Sequence, residues 1–259
     1  MKLNKKAIDW LVLILIPIST AIIAKVFHTS LLLEVFLFFG LPPTYLFFRN
    51  PTIIKKTVIF SLVAWWPLTI VWEYLVYVDN IWFVPSAYRF FRGSLPLEDI
   101  PWGIQFLIYG ISVWEYFFNK SRLKGRLFPP RYKYLVAFLY VPLVIFFILY
   151  YLSPETLYVP YFFLWLGLIY CVIPPVLFVI FRPKFLKRLV LMSVYFFIPF
   201  SLMDYTALTQ NQWWFPGQHY IGVVSFFGHT LPLEEIIFFW ILCMPALACW
   251  YEYFADDQK

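Results

Sequence analysis

The sequence predicts an all-α integral membrane protein, and three observations support this prediction. Of the 259 residues, 63% are hydrophobic and 13% are charged, whereas about 25% of the residues in an ordinary soluble domain are charged. The mean hydropathy is +0.76. The apolar residues are gathered into runs close to the roughly 20 residues that a helix needs to cross the hydrocarbon core. We therefore predict about eight transmembrane helices.

The bounds of these helices follow from breaking the apolar runs at charged and proline-rich clusters. The predicted helices span residues 8–27, 31–48, 57–78, 97–118, 133–152, 158–181, 189–208 and 233–253. The first run follows three lysines and has the general form of a signal peptide, but it lacks a convincing small-residue cleavage site. We interpret it as a retained helix.

The distribution of Lys and Arg predicts the orientation in the membrane. Most of the 20 basic residues lie in the N-terminal segment and in the loops after the second, fourth and sixth predicted helices. Basic residues are enriched on the cytoplasmic side, so both termini are predicted to be cytoplasmic, in the cell membrane. This topology, with anionic lipid headgroups as partners, accounts for the net charge of +6, and nothing about the charge indicates nucleic acid.

The second half of the chain repeats the first. Four segments match in order: LPPTYLFFRNP from Leu41 with IPPVLFVIFRP from Ile173, WEYLVYVDNIWFVP from Trp72 with MDYTALTQNQWWFP from Met203, SLPLED from Ser94 with TLPLEE from Thr230, and WEYF from Trp114 with WYEYF from Trp250. Each repeat has four predicted helices, and an even number inserts both repeats the same way up. We predict parallel four-helix repeats over residues 1–119 and 134–259, joined by a basic cytoplasmic linker over residues 120–133.

Cofactor and metal sites find no support in the sequence. Cys171, Cys243 and Cys249 occur singly, without C-x-x-C spacing, and the three histidines are scattered. No strand pattern and no G-x-G-x-x-G segment predict a dinucleotide site, and no aspartate-rich run predicts a diphosphate–metal site. The sequence therefore predicts a protein without metal or cofactor.

Paired acids enter two of the apolar helices, Glu98 with Asp99 and Glu234 with Glu235. One interpretation is helix capping, with Ser94 and Thr230 as N-caps, prolines in the first turn and the acids complementing the helix dipole. That interpretation explains one acid of each pair but not the repetition of both. In a poorly hydrated pocket two adjacent carboxyls cannot both ionise cheaply, so we expect one to donate a proton and the other to accept one.

Further candidates recur at matching positions of the two repeats. Glu73 and Asp204 fall toward the outer part of the third and seventh helices, where acids normally face the bundle interior; the alternative is a hydrated position at the interface beside a tyrosine. Aromatic residues make up 24% of the chain, and most are expected to face lipid. The recurring aromatic and amide candidates for substrate binding are Trp82, Phe83, Trp213, Trp214, Tyr74, Tyr205, Asn80 and Asn211.

Acids, aromatic walls and an apolar interior together suit carbocation chemistry on an apolar substrate. A carboxylic acid can protonate an alkene, aromatic faces can stabilise the cation, and a carboxylate can remove a proton at the end. This chemistry needs no net redox step.

The LPLED and LPLEE motifs, the N-x-W segments that precede them and the four-helix repeats resemble the membrane-integral lycopene cyclase family, in its fused two-repeat form. The resemblance covers essentially the whole chain. It implies a lycopene cyclase that closes an ionone-type ring at one or both ψ ends of lycopene or a related linear carotene, and it leaves other carotenoid-pathway enzymes open as partners. It makes Glu98 and Glu234 the first candidates for the acid, with Asp99 and Glu235 in support.

Two other functions remain open at the level of the sequence. Another prenyl-lipid enzyme, such as a carotenoid hydratase, could use the same acids. A transporter built from parallel repeats could use them as a proton or cation pathway. The differences between the repeats, such as Phe83 against Trp214, also leave open that one repeat is catalytic and the other binds or supports.

Overall fold

The structure, a computed structural model, describes residues 4–118 and 133–254. The chain is mostly helical, at 77%, and five of its helices are long and apolar enough to cross a membrane, as expected of an all-α membrane protein. The predicted linker, residues 120–133, lies outside the described residues except at its last position.

Helices follow one another in the order that the sequence predicts. The first half contains α1 (Lys5–Phe27), α2 (Leu31–Arg49), α3 (54–78) and α4 (99–118). The second half contains α5 (Lys133–Leu152), α6 (Phe162–Phe181), α7 (Leu186–Thr209) and α8 (235–254). The five candidate spans are α1, α2, α6, α7 with the turn before it, and α8.

Helices α2 and α6 both widen into a π-helix near their middle. The wide turns span Phe36–Gly40 and Gly167–Val172, shortly before Pro-Pro pairs that begin at Pro42 and Pro174. Proline has no N–H to donate to the preceding turn, and a π-turn is one way in which a helix accommodates such a local break.

Two β-hairpins stand where the sequence predicts no strand, which corrects that expectation. Arg89–Phe90 pairs with Leu95–Pro96, and Val223–Phe226 pairs with His229–Pro232, both antiparallel. Strands of two to four residues are too short to show a period of two in the sequence. Each hairpin leads directly into the helix that carries an acid pair.

The capping interpretation of Ser94 and Thr230 is also corrected by these hairpins. Helices α4 and α8 begin at Asp99 and Glu235, several residues beyond the proposed caps. The Ser94 hydroxyl donates to the carbonyl oxygen of Phe91 at 2.9 Å, inside the hairpin turn. The acids therefore lie at strand-to-helix junctions, where the paired backbone of a hairpin fixes the start of the helix.

Contacts between the two halves occur at both ends of the bundle. At the hairpin end, Phe83 and Trp214 form an isolated antiparallel bridge. At the other end, the Trp114 indole donates to Glu252 at 2.5 Å, and the Tyr251 hydroxyl donates to Glu115 at 2.6 Å. Aromatic side chains make up a large part of the core between these ends.

Candidate functional site

A cavity lies at the hairpin end of the bundle. Five acids contribute to its wall, among otherwise apolar and aromatic side chains. The lining residues are Leu31, Val35, Phe39, Glu73, Trp82, Val84, Glu98, Asp99, Trp102, Phe200, Met203, Asp204, Trp213, Phe215, Glu235 and Phe239.

The carboxyl groups of Glu73 on α3 and Asp99 on α4 are hydrogen-bonded to each other. Both are buried, with 3% and 7% of their surface exposed. The Trp82 indole lies beside this pair in the cavity wall. A hydrogen bond between two carboxyl groups needs a proton on one of them, because an ionised carboxylate only accepts. The pair can therefore hold one transferable proton.

A second carboxyl pair joins Asp204 on α7 to Glu235 on α8. Here the Trp240 indole donates to Asp204 at 2.5 Å. Both acids are buried, with 4% and 7% of their surface exposed. The acids that share a proton thus come from neighbouring helices, whereas the sequence led us to expect sharing between adjacent residues of one motif.

The first glutamates of the two motifs, Glu98 and Glu234, have different surroundings. Glu98 lines the cavity, and its Oε2 atom is buried without a hydrogen-bond partner among the described residues. Glu234 does not line the cavity; it is fully buried and accepts a hydrogen bond from the backbone N–H of Ile221 at 2.6 Å. The two matched glutamates are therefore placed differently with respect to the cavity.

Two of the predicted aromatic residues, Trp82 and Trp213, line the cavity. The Trp213 Nε1 atom is buried and has no hydrogen-bond partner in the described part of the chain, so its N–H can be offered to a ligand. Phe83 and Trp214 follow directly, and their rings pack across the bridge in a tilted arrangement with centroids 4.9 Å apart.

The remaining predicted binding residues lie outside the cavity wall. Tyr74 packs on the rings of Phe146 and Tyr150 at 5.3 and 5.2 Å, and Tyr205 packs on Phe227 at 4.7 Å. Neither tyrosine hydrogen-bonds the acid that precedes it.

Asn80 and Asn211 terminate helices α3 and α7. Both have left-handed backbones, with φ of 54° and 55°, and the next N–H in each case reaches back to a carbonyl of the last helical turn, from Ile81 to Val76 and from Gln212 to Ala207. This is the Schellman arrangement, in which Asn is a common alternative to Gly. The repeated asparagines thus serve the turns that place Trp82 and Trp213.

The segment that carries Trp213 and Phe215 is fastened to the first half of the chain. The Tyr220 hydroxyl donates to the carbonyl of Ile81 at 2.5 Å and accepts from the backbone N–H of Gly217 at 2.9 Å. Burial raises the pKa of the Tyr220 phenol above its ordinary value, because the phenolate would lose its hydration. His219 also pairs with Asp79 at 2.7 Å.

Several residues of the site were not predicted from the sequence. Phe39, Trp102, Phe200 and Phe239 form much of the cavity wall, and no local motif distinguishes them from lipid-facing aromatics. Glu34 is fully buried next to the cavity residues Leu31 and Val35 and accepts hydrogen bonds from Thr29, Gln210 and Gln212. A charged residue inside the predicted helix 31–48 was the signal that could have indicated it.

The fold and the cavity together define a helical protein of membrane-spanning character with an acidic, aromatic-walled pocket. Within residues 4–118 and 133–254, no group of three or more His, Cys, Asp or Glu side chains is arranged to hold a metal ion. No protein-family model, no curated protein and no solved structure matches the chain.

Proposed function

We propose that this protein is a cofactor-independent cyclase that closes an ionone-type ring at a ψ end of lycopene or a related linear carotene. The observation that carries the proposal is that both carboxyl pairs, Glu73–Asp99 and Asp204–Glu235, open into one aromatic-walled cavity. An apolar end group in this cavity would meet a proton donor and a proton acceptor.

The reaction conserves atoms and electrons. The protonated member of a carboxyl pair adds its proton to the terminal double bond, which leaves a tertiary cation. The neighbouring double bond attacks this cation, a ring bond forms, and the positive charge moves to a ring carbon. A carboxylate then removes a proton from an adjacent carbon, which fixes the new double bond and restores the acid. General acid–base steps of this kind contribute typically ~10²–10⁴-fold to rate.

The aromatic walls support the charged intermediate. Trp82, Trp102 and Phe239 line the cavity, and the rings of Trp102 and Phe239 are stacked with centroids 5.8 Å apart. The face of an aromatic ring attracts a cation, and a ring does not add to the cation as a water molecule would.

The finer architecture belongs to this proposal as well: eight spans, arranged as two parallel repeats in the cell membrane with both termini cytoplasmic. Phe83 and Trp214 are matched positions of the two repeats, and they bridge each other. Trp114 donates to Glu252, and Tyr251 donates to Glu115, so each repeat gives a bond to the matched glutamate of the other. The bridge between the matched residues Phe83 and Trp214 is the contact expected of a two-fold axis along the bundle.

The residue roles follow from the position of each acid in the wall. Glu73 with Asp99 and Asp204 with Glu235 hold the transferable protons, and Glu98 is placed to touch the substrate. Glu234 is a positioning residue in this scheme, because its carboxylate holds the Ile221 backbone.

The test is expression in cells that accumulate lycopene, followed by analysis of the carotenoid products. The expected result is monocyclic or bicyclic carotene, and Glu73→Gln, Asp99→Asn, Asp204→Asn and Glu235→Gln should each lower turnover. Glu252→Gln is the matched control, a buried acid at the opposite end of the bundle, and it should keep the wild-type product. Unchanged lycopene in membranes that contain the folded protein would refute the cyclase, and a proton-coupled flux in vesicles would then indicate the transporter.

A further inference from the structure

A second cavity adjoins the first and leads deeper into the bundle. The two cavities share the wall residues Glu73, Trp82, Trp102 and Phe239. The rest of the second lining is Thr69, Trp72, Gly103, Phe106, Leu107, Leu166, Tyr170, Cys171, Cys243 and Leu247. Glu73 thus stands at the junction of an acidic chamber and an almost wholly apolar one.

The second cavity extends along the helix axes. On α4 the lining runs from Asp99 in the first cavity to Leu107 in the second, which is a rise of about 12 Å at 1.5 Å per residue. On α8 it runs from Glu235 to Leu247. An elongated apolar molecule with its end beside the acids could therefore continue into the bundle.

The region that corresponds to the second cavity when the two repeats are exchanged is filled by phenylalanine. In the alignment of the repeats, Thr69 corresponds to Phe200, Gly103 to Phe239 and Cys171 to Phe39. Small side chains line the second cavity, whereas the three phenylalanines pack on one another, with ring centroids 5.9 Å apart for Phe39–Phe200 and 6.4 Å apart for Phe200–Phe239.

All three differences between matched positions fall in one region. At each, a small side chain stands on the side of the second cavity and a phenylalanine stands at the matched position, and all three phenylalanine rings line the acidic cavity. The sequence therefore leaves one apolar chamber beside the Glu73–Asp99 pair, and the corresponding space beside the Asp204–Glu235 pair is occupied by aromatic rings.

We infer that the second cavity binds the linear apolar tail of the substrate while the reacting end lies in the first cavity, so that one end of a two-ended chain reacts in each binding event. This inference rests on the proposed function and specifies its substrate as a long, unbranched or lightly branched polyene held in a fixed direction. A substrate with two identical ends then leaves after the first ring closes and binds again in the reverse direction. The monocyclic product accumulates before the bicyclic one.

The test fills the second cavity and compares a long polyene with a short one. Thr69→Phe on α3 and Cys171→Phe on α6 place a ring in the chamber. The probes are lycopene and a truncated polyene that keeps the same end group but only half of the chain. Binding to the purified protein is followed by quenching of tryptophan fluorescence, since Trp72, Trp82 and Trp102 line the chamber, and this measurement does not depend on turnover.

The expected result is a loss of affinity for lycopene of at least about tenfold, at the lower end of what a hydrophobic pocket discriminates, with near wild-type affinity for the truncated polyene. Ile180→Phe is the matched control, because it adds a similar ring to the exposed face of α6, where Ile180 is 65% exposed. It should bind both probes as the wild type does.

Two outcomes would overturn the inference. Unchanged lycopene binding in both filled variants would mean that the tail lies elsewhere, and loss of the truncated probe in both would mean that the end and the tail do not occupy separate chambers. Wild-type binding of lycopene without any cyclised product would instead contradict the proposed reaction and leave the tail site supported. Bicyclic product that appears without a monocyclic phase would contradict reaction at one end per binding event.

Discussion

Phe83 and Trp214 exchange two backbone hydrogen bonds, with N···O distances of 2.9 Å from Phe83 to Trp214 and 3.1 Å in the reverse direction. Each follows directly on a tryptophan that lines the acidic cavity, Trp82 or Trp213. The bridge therefore fixes both halves of the cavity wall with respect to each other, and it connects residues that are far apart in the chain.

Removing one ring of this bridge should destabilise the hairpin end of the bundle. We expect Trp214→Ala to lower the free energy of unfolding by about 1 kcal/mol beyond the lost apolar contact, the typical value for an aromatic pair. The measurement is the midpoint of unfolding in detergent, in a double-mutant cycle with Phe83→Ala. Tyr88→Ala, at a residue 69% exposed, is the control; strictly additive effects of Phe83→Ala and Trp214→Ala would show that the rings do not interact.

Substitution of the two matched glutamates should affect different properties, turnover at Glu98 and stability at Glu234. Glu98 touches the cavity and leaves Oε2 without a partner among the described residues, so Glu98→Gln should lower turnover with little change in stability. Glu234→Ala removes the acceptor of the Ile221 N–H, and a net hydrogen bond is worth ~0.5–1.5 kcal/mol. Unfolding midpoints and product yields separate the two cases.

A conservative variant provides the control for this comparison. Glu234→Gln keeps a side-chain oxygen that can accept from Ile221, so it should retain most of the stability that Glu234→Ala loses. If Glu234→Gln abolishes turnover while the protein remains folded, Glu234 acts on the substrate and is not a positioning residue.

Stability should fall on the alkaline side through Tyr220. Its pKa is raised in the folded protein, mainly by burial, so the folded state holds the phenol proton more tightly than the unfolded chain. The contribution of Tyr220 to the free energy of unfolding is fully present below the ordinary tyrosine pKa of about 10. It is lost as the pH rises through the higher pKa of the folded state.

Tyr220→Phe tests this pH dependence. The variant should be less stable than the wild type at neutral pH, because the hydrogen bonds to Ile81 and Gly217 are lost, by about 0.5–1.5 kcal/mol for each net bond. The difference from wild type should shrink above pH ~10. Unfolding curves recorded from neutral to alkaline pH give the comparison, and a difference that does not change with pH would contradict the assignment.

The contact between α6 and α8 should be intolerant of added volume. A Cβ atom at Gly167 would clash with a ring carbon of Phe238, and a packed ring has little room to move. We expect Gly167→Ala to destabilise the protein by ~1–3 kcal/mol, as overpacking of a core does. Gly167→Ala combined with Phe238→Leu should recover part of this loss in the same unfolding measurement.

The helices could be predicted from the sequence because each depends on local composition. Runs of apolar residues predict spans, and the structure has a helix in the place of each predicted one. The hairpins before α4 and α8 were missed, because strands of a few residues carry too little pattern and the prolines in them also suit a helix start.

The candidate acids could be predicted as members of a site, since acids are rare in apolar helices, but their pairing could not. Adjacent residues of a helix point about 100° apart, so Glu98 and Asp99 need not share a proton. Asp99 meets Glu73 instead, because α3 and α4 pack side by side. The repeated asparagines illustrate the opposite case, in which a recurring residue serves a turn and not a ligand.

The sequence by itself determined the class of the chain, the places of its helices and several of its buried acids, since these follow from the cost of placing polar groups in an apolar medium. Only the tertiary structure decided which acids share a proton, that Glu98 faces the cavity while Glu234 holds a loop, and that an open chamber lies on one side of the acidic cavity where phenylalanines occupy the matching positions on the other. These properties depend on how helices from distant parts of the chain pack against one another, and no local pattern encodes that packing.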